Sequence, residues 1–295
     1  MSGAVRRGTF AIAACLATAG ALGFAVAADA GEAPTTVSIR FGAEVAGAPF
    51  RCGLSYANIG LAHARVTPTD FRFYVSDVAL IDRNGRAAPV ALAQDGIWQY
   101  RNVALLDFED GTGPCGGGNS GLNDRVRGEA AKGDYVGVRF TLGLPFDLNH
   151  GDGTTAPAPL DQTAMFWTWQ AGYRFLKVDL AGDAAQGGQG ASGYAAHLGD
   201  TGCVGPGASQ RPTNCAHRNQ VVVTFVRFDA NRDVVVGDLA RLLANVDTTR
   251  NAPGTAPGCM AAEDDPDCAG LFAALGLAFG NAPARAQTFF AVKHP

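Results

Sequence analysis

Five histidines, His63, His150, His197, His217 and His294, and one aromatic cluster, MFWTWQAGY at residues 165–173, are the parts of this chain with the greatest chemical reach. Imidazole ligates metals and moves protons near neutral pH. Indole does neither, because its ring nitrogen donates one hydrogen bond and offers no lone pair to a cation. Yet two of the three tryptophans, Trp167 and Trp169, sit one residue apart beside Met165, Phe166 and Tyr173. His150 closes GLPFDLNH, where a strong strand pattern ends, and His197 lies in YAAHLGDTGC, a segment that a bridge at Cys203 would pin. These two imidazoles stand on rigid supports and are the leading candidates for metal ligation. His63, in LAHAR, is a weaker candidate; His217 and His294 lie in polar surroundings typical of solvated histidines. Met165 offers a thioether to a soft ion such as Cu(I), although methionine beside aromatic rings commonly fills core space.

Three other patterns imitate known chemistry without its context. GTGPCGGGNSG (residues 111–121) is glycine-rich like a phosphate loop, but it lacks the Gly-Lys-Ser/Thr ending and opens no helix. It reads as a flexible loop tethered at Cys115. Ser120 within it has no local histidine to activate it as a nucleophile. Asp147 with Asn149, and Asp229 with Asn231 and Asp233, have the opening spacing of a calcium loop, whose sixth and twelfth positions are glycine and glutamate. Those positions hold Asp152 and Ala158, or Val234 and Ala240. Both segments read mainly as turns, with Asp229, Asn231 and Asp233 retaining three spaced oxygens for a weak Ca²⁺ site.

The elements that must position these side chains are mostly strands. Apolar and polar residues alternate at residues 36–45, 71–81 and 135–144, and in the last of these Val136, Val138, Phe140 and Leu142 share one face. Residues 220–228 and 233–237 flank Asp229-Ala230-Asn231-Arg232 and predict a hairpin. In MFWTWQ, strand spacing sends Met165, Trp167 and Trp169 to one face, an arrangement that suits an aromatic core face or a sugar-stacking platform. Short helices are expected at residues 238–246, behind an acidic cap, and at 268–280. Long loops rich in Gly and Pro separate the elements at residues 111–121, 149–159, 182–193 and 202–212. Many strands, few helices and no βα alternation predict an all-β, antiparallel Greek-key sandwich or barrel.

Residues 1–27 have a basic pair (Arg6, Arg7), an apolar run and a small-residue Ala25-Val26-Ala27 end, the anatomy of a secretory signal peptide. The apolar run is too short for a retained membrane anchor, and Ile12-Ala13-Ala14-Cys15 only imitates a lipoprotein box. Residues 28–295 then form one domain. Losing Arg6 and Arg7 leaves 21 basic against 27 acidic residues, so no basic stripe remains and nucleic acid is excluded as an expected partner. Six of the 7 cysteines remain: Cys52, Cys115, Cys203, Cys215, Cys259 and Cys268. In an oxidising compartment an even set reads as disulfides. Local pairing of Cys203 with Cys215 and of Cys259 with Cys268 leaves Cys52 for Cys115, one of fifteen connectivities that six cysteines allow.

GLPFDLNH, APAPL (residues 156–160), MFWTWQAGYRFLKVDL and HLGDTGC, followed by Cys259 and Cys268, resemble the MbnP family of periplasmic copper-binding proteins, also described as the four-cysteine partner of a metallo-mystery pair. The similarity runs across nearly all of the chain after residue 27. In that family a tryptophan is oxidised to kynurenine by a di-haem partner resembling MauG, and copper binding depends on the modification. The resemblance therefore implies copper as the cofactor, His150 and His197 as ligands, and Trp167 or Trp169 as the modified residue. Ring opening exposes an aromatic amine and a ketone, turning an inert indole into a group that can bind or orient a metal. Tyr173 is expected to help carry oxidising equivalents, with Gly172 marking a bulge that aims it. On this reading the protein is a substrate of an enzyme and not itself an enzyme. The rivals are a carbohydrate-binding sandwich that stacks a sugar on Trp167 and Trp169, and a redox enzyme whose copper turns over a small substrate.

Overall fold

The alternating segments become the long strands of two packed sheets. The computed structural model describes Met1, Gly3 and residues 33–118, 121–168, 170–181, 193–207 and 210–295. Trp169, Ser120, Cys15, nearly all of the leader and most of the 182–193 loop lie outside the described residues.

In chain order, β1 (Thr35–Val45) and β2 (Ala48–Pro49) fold back on each other, and β3 (Tyr56–Ile59) turns into β4 (Ala64–Asp82). Next come β5 (Ala87–Pro89), β6 (Ala91–Leu92), β7 (Gln99–Tyr100), β8 (Val103–Asp107), β9 (Arg125–Ala130) and β10 (Tyr135–Leu142). A one-turn helix α1 (Phe146–Asn149) leads through a 3-10 turn (Thr163–Met165) to β11 (Phe166–Thr168), β12 (Gly172–Tyr173), β13 (Leu176–Ala181) and β14 (Tyr194–Leu198). The hairpin β15 (Thr201–Val204) and β16 (Asn214–His217) precedes β17 (Val221–Phe225), β18 (Val234–Asp238), α2 (Leu239–Leu242), β19 (Gly258–Cys259), α3 (Ala269–Leu275) and β20 (Phe290–Lys293). One sheet runs β20-β18-β1-β9-β6 with β2 on its flank. The other runs β17-β10-β4-β13-β14-β19, with β3, β5 and β8 also on β4 and β7 on β8. Ala33–Pro295 group as one compact unit.

The result is an all-β sandwich whose core is a set of phenylalanines from both sheets. Phe41 of β1 meets Phe73 of β4 at 6.1 Å and Phe140 of β10 at 5.3 Å, edge to face, the arrangement that aromatic quadrupoles favour. Strand β4 is covered on both faces. Phe71, Phe73 and Val75 point into the sandwich, while Asp70, Arg72, Tyr74 and Ser76 alternate with them and are equally buried. A second apolar cluster, including Tyr74, Leu144, Leu148, Leu160, Met165, Tyr173 and Phe175, accounts for that outer cover. No helix among the described residues is long and apolar enough to cross a membrane.

Three expectations are corrected. Residues 220–228 and 233–237 do not form a hairpin: β17 pairs with β10 in one sheet, whereas β18 pairs with β1 and β20 in the other. The turn at 229–232 carries the chain between sheets, and turn chemistry alone does not distinguish that crossing from a hairpin. Second, β1–β18 and β14–β19 are parallel, so the sandwich is predominantly rather than wholly antiparallel. Third, both expected helices are shorter than their patterns. α2 starts on Asp238, whose Oδ1 accepts from the backbone N–H of Ala240 and of Ala46, each at 2.9 Å, and α3 stops at Gly276 in the left-handed region. The three disulfides are Cys52–Cys115, Cys203–Cys215 and Cys259–Cys268, the connectivity that local pairing suggests.

Asp238→Ala removes an acceptor shared by the α2 cap and the turn after β1. It should cost about 1–2 kcal/mol in urea unfolding, as other cap deletions do. A second test concerns Asp107, at the end of β8. Burial, aided by the Glu109 and Asp70 charges and opposed by Arg72, pushes its carboxyl up to about 7. An unfolded aspartate releases its proton near pH ~4, so between about pH 4 and 7 the folded state holds more protons than the unfolded one. Stability should then fall as pH rises through that window. Thermal melts across it should show a smaller decline for Asp107→Asn than for the wild type.

Candidate metal centre

The outer face of β4, β13 and β14 carries a ladder of alternating charge that ends at His197. Lys177 lies in register between Arg72 and His197, and Asp179 lies opposite Asp70, so period-two alternation puts all five side chains on one face. Asp70 accepts from the buried Arg72 and from Lys177. Lys177 Nζ lies 2.8 Å from Asp179 Oδ2, and Asp179 Oδ1 lies 2.6 Å from His197 Nε2. Burial would raise the Asp179 carboxyl, but hydrogen bonds from His197 and Lys177 hold it well below the usual range. For His197 burial outweighs the Asp179 attraction and lowers its pKa, which favours the neutral ring. In the neutral ring the network assigns the proton to Nε2, which donates to Asp179, and leaves the lone pair on Nδ1. A carboxylate that orients an imidazole in this way is a common support of a metal-ligating histidine.

Arg174 covers that lone pair. Its Nε donates to His197 Nδ1 at 3.3 Å, and its Nη1 donates to the carbonyls of Ala164 and Phe166 at 2.9 Å. The guanidinium carbon stands 5.3 Å from the Trp167 ring centroid, a cation–π distance. Trp167 itself is 6.2 Å from the His197 ring. Its position follows from a bulge: Phe166 pairs with Tyr173 and Thr168 with Gly172, which leaves Trp167 as the extra residue. Bulges re-aim side chains in this manner. Gly172 supports it at φ +74, where a Cβ would lie 2.4 Å from Asn149 Oδ1. Gly199 lies under the indole; a Cβ there would fall 2.5 Å from the Trp167 ring.

The shared face expected for Met165 and Trp167 is therefore not formed. Met165 ends a 3-10 turn and is fully buried in the outer cluster, while Trp167 is half-buried against the sandwich core. The short turn and the bulge together break the period of two.

His150 follows α1 and is fully buried. Its Nε2 lies 3.2 Å from Asn149 Nδ2, 3.3 Å from Cys215 Sγ and 3.6 Å from Asp200 Oδ2, with the Phe146 ring at 4.6 Å. Asn149 joins this pocket to the bulge: its Nδ2 donates to Asp200 Oδ2 at 3.1 Å, and its Oδ1 accepts from the Tyr173 N–H at 2.7 Å. The segment His197-Leu198-Gly199-Asp200 thus has one imidazole at its start, the Trp167 ring against its glycine, and the carboxylate beside His150 at its end. Imidazole donors suit copper in kind. Among the described residues, though, the groups of three donors within ligand reach are His150 with Cys203 and Cys215, and Glu109 with Cys52 and Cys115. No such group contains both histidines.

The remaining candidates lie elsewhere. His63 is exposed on the turn between β3 and β4, at φ 49. His217 pairs with Glu263 on the surface. Asp233 accepts from the Asp229 N–H at 2.9 Å, from Arg232 at 3.2 Å and faces His294 at 3.0 Å, while Asp229 Oδ1 accepts from the Asn231 N–H. The Asp229 and Asp233 oxygens of the calcium expectation are thus engaged in a turn. Tyr173 is buried with its hydroxyl donating to the Leu160 carbonyl at 2.6 Å, and its ring is 5.0 Å from Phe166 and 5.9 Å from Tyr74. Arg174, Asp179 and Asp200 carry no motif in the sequence, and Asn149 stands out there only as part of a calcium-like turn. The alternation Lys177-x-Asp179 and the neighbours in LNH and HLGD were the available signals.

A search of the curated proteins finds no match. A solved structure described as MbnP from Methylosinus trichosporium superposes with a TM-score of 0.79, at 34% sequence identity, over 89% of this chain and 99% of that one. The family model described as MbnP matches residues 34–261. The fold is therefore shared along most of the chain, which belongs to the MbnP family.

Proposed function

We propose that this is a periplasmic copper-binding protein, delivered by the signal peptide at residues 1–27, in which Trp167 or Trp169 is oxidised to kynurenine by a MauG-like di-haem partner. Its role is copper acquisition, storage or delivery, with His150 and His197 supplying imidazole ligands. The observation that carries this reading is the Trp167 ring, held by a bulge 6.2 Å from the His197 ring and against Gly199. An aromatic group that cannot ligate is held at an imidazole that can.

The chain's own residues give the modification a second consequence. Asp179 fixes the tautomer of His197 and directs its lone pair at Arg174, whose guanidinium rests over the indole. Opening the five-membered ring removes part of that π face and leaves Arg174 held by the Ala164 and Phe166 carbonyls, which loosens its cover of Nδ1. Copper binding and tryptophan oxidation would be linked through this one side chain. Tyr173, packed against Phe166, is placed to pass oxidising equivalents across the outer cluster. The sugar-stacking alternative needs an open indole face, and Arg174 covers that of Trp167.

Protein made alongside its haem partner should yield peptides across residues 165–174 with the kynurenine mass change; intact indole at both positions would sink the reading. In that modified protein, His150→Ala and His197→Ala should each lower copper content at least about tenfold, the scale on which metal sites respond to lost supporting groups; unchanged metal in both rejects the ligand assignment. Gly199→Ala places a methyl group against Trp167. It should reduce the yield of modified protein while leaving the far-ultraviolet circular dichroism of the sandwich unchanged.

A further inference from the structure

The pocket of His150 contains donors that the copper reading does not use. Cys203 and Cys215 are register partners on β15 and β16, and their sulphurs lie within 4.8 Å of each other and of a His150 ring nitrogen. His150 Nε2 stands 3.3 Å from Cys215 Sγ. When one thiolate and one imidazole share a tetrahedral ion, with bonds of about 2.3 and 2.0 Å, their donor atoms are about 3.5 Å apart. That separation is nearly present already. Asp200 stands beside the group, with Oδ2 3.6 Å from His150 Nε2, 3.1 Å from Asn149 Nδ2 and 3.2 Å from Arg218 Nε, and with Oδ1 buried without a hydrogen-bond partner. A buried carboxylate oxygen left unsatisfied is rare.

We propose that reduction of the Cys203–Cys215 disulfide opens a thiolate metal site, in which both sulphurs join His150 Nε2 around one d¹⁰ cation, Cu(I) or Zn(II), with the Asp200 carboxylate beside the group. The site needs no tryptophan modification, so it stands apart from the kynurenine reading even though both use His150. The chemistry balances with a dithiol as reductant. The dithiol donates two electrons and two protons, the Cys203–Cys215 bond breaks to give two thiols, and the dithiol closes to its own disulfide. The cation then displaces the two thiol protons. Soft sulphur donors select these ions. Cys203 is half-buried while Cys215 is buried, so Cys203 is the sulphur open to attack. The hairpin retains ties that do not pass through the disulfide, among them Thr213 N–H to the Val204 carbonyl at 2.8 Å and Asn219 Nδ2 to the Gly199 carbonyl at 2.8 Å.

The other bridges supply internal controls. Cys52 and Cys115 are accompanied by Glu109 but by no imidazole, and Cys259 and Cys268 belong to no group of three ligands. The test uses the full chain made without the haem partner, so that its indoles are intact. It is reduced anaerobically with a dithiol, desalted, given one equivalent of Zn(II) or of chelated Cu(I), and alkylated for peptide mapping. Protection of Cys203 and Cys215 together by either ion is the expected result, and the two arms identify which ion the site prefers. Protection should vanish in His150→Ala, and Asp200→Asn should weaken binding about tenfold in chelator competition. Should His150→Ala fail to fold, the Cys203→Ser/Cys215→Ser double variant keeps His150 and must lose the bound equivalent. Full alkylation of both cysteines with either ion, or equal protection without His150, overturns the proposal. Neither result bears on copper in the oxidised, modified protein.

Discussion

The burial of strand β4 on both faces is the constraint around which the structure is organised. A strand inside a sandwich has one face in the core and the other toward water. Here the segment from 144 to 175 covers Tyr74 on that second face, and Asp70 and Arg72 on the same face are as buried as the phenylalanines that alternate with them. Isolated charges in such a place are strongly unfavourable, so each needs a partner of opposite sign. The partners come from neighbouring strands in register, Lys177 and Asp179 on β13, and the ladder ends on His197 of β14. The orientation of the candidate ligand is thus an outcome of charge satisfaction in a doubly covered sheet. The same register that makes the fold fixes which ring nitrogen of His197 holds a lone pair.

The outer cover performs two tasks with few residues. Its apolar members, Leu144, Leu148, Met165, Tyr173 and Phe175, seal the face of the sheet. Its bulged strand turns Trp167 away from Met165 and onto the HLGDTGC segment. Asn149 ties the two tasks together, because one end of its amide holds the Tyr173 backbone at the bulge and the other holds Asp200 beside His150. A side-chain amide that satisfies both groups leaves little freedom in the relative placement of bulge and pocket.

Much of this was legible in the sequence, and the limits have physical causes. Alternation gave β1, β10 and the centre of β4 because one side of each faces a continuous apolar core. Two disulfides followed from local spacing because short loops close at the least entropic expense, and Cys52–Cys115 was the pair that remained. The two leading histidines were recognisable as residues on rigid supports. What sequence did not disclose depends on tertiary register. The 229–232 turn has hairpin chemistry but passes between sheets, and residues 165–168 have strand chemistry but begin in a 3-10 turn and contain a bulge. Arg174 carries no motif, and only the folded arrangement shows that it covers both the indole face and the Nδ1 lone pair. Asp229 and Asp233 show the converse, a spacing suggestive of cation binding whose carboxylate oxygens are engaged by their own turn, Arg232 and His294.

The two imidazoles, similar in the sequence, have opposite surroundings in the fold. His197 is oriented by an ionised carboxylate and covered by a cation, an arrangement that keeps a lone pair available but repels a metal until the guanidinium moves. His150 is enclosed by a disulfide, an amide and a carboxylate that is also paired with Arg218, an arrangement whose sulphurs ligate only as thiolates. Each half is inert for a different reason, one electrostatic and one covalent. On the proposed readings each would be released by a different redox event, oxidation of an aromatic ring on one side and reduction of a sulphur bridge on the other. Neither imidazole would then be competent for metal merely by folding. The HLGD segment, with His197 at one end and Asp200 at the other, is the short piece of chain through which either event could reach its neighbour.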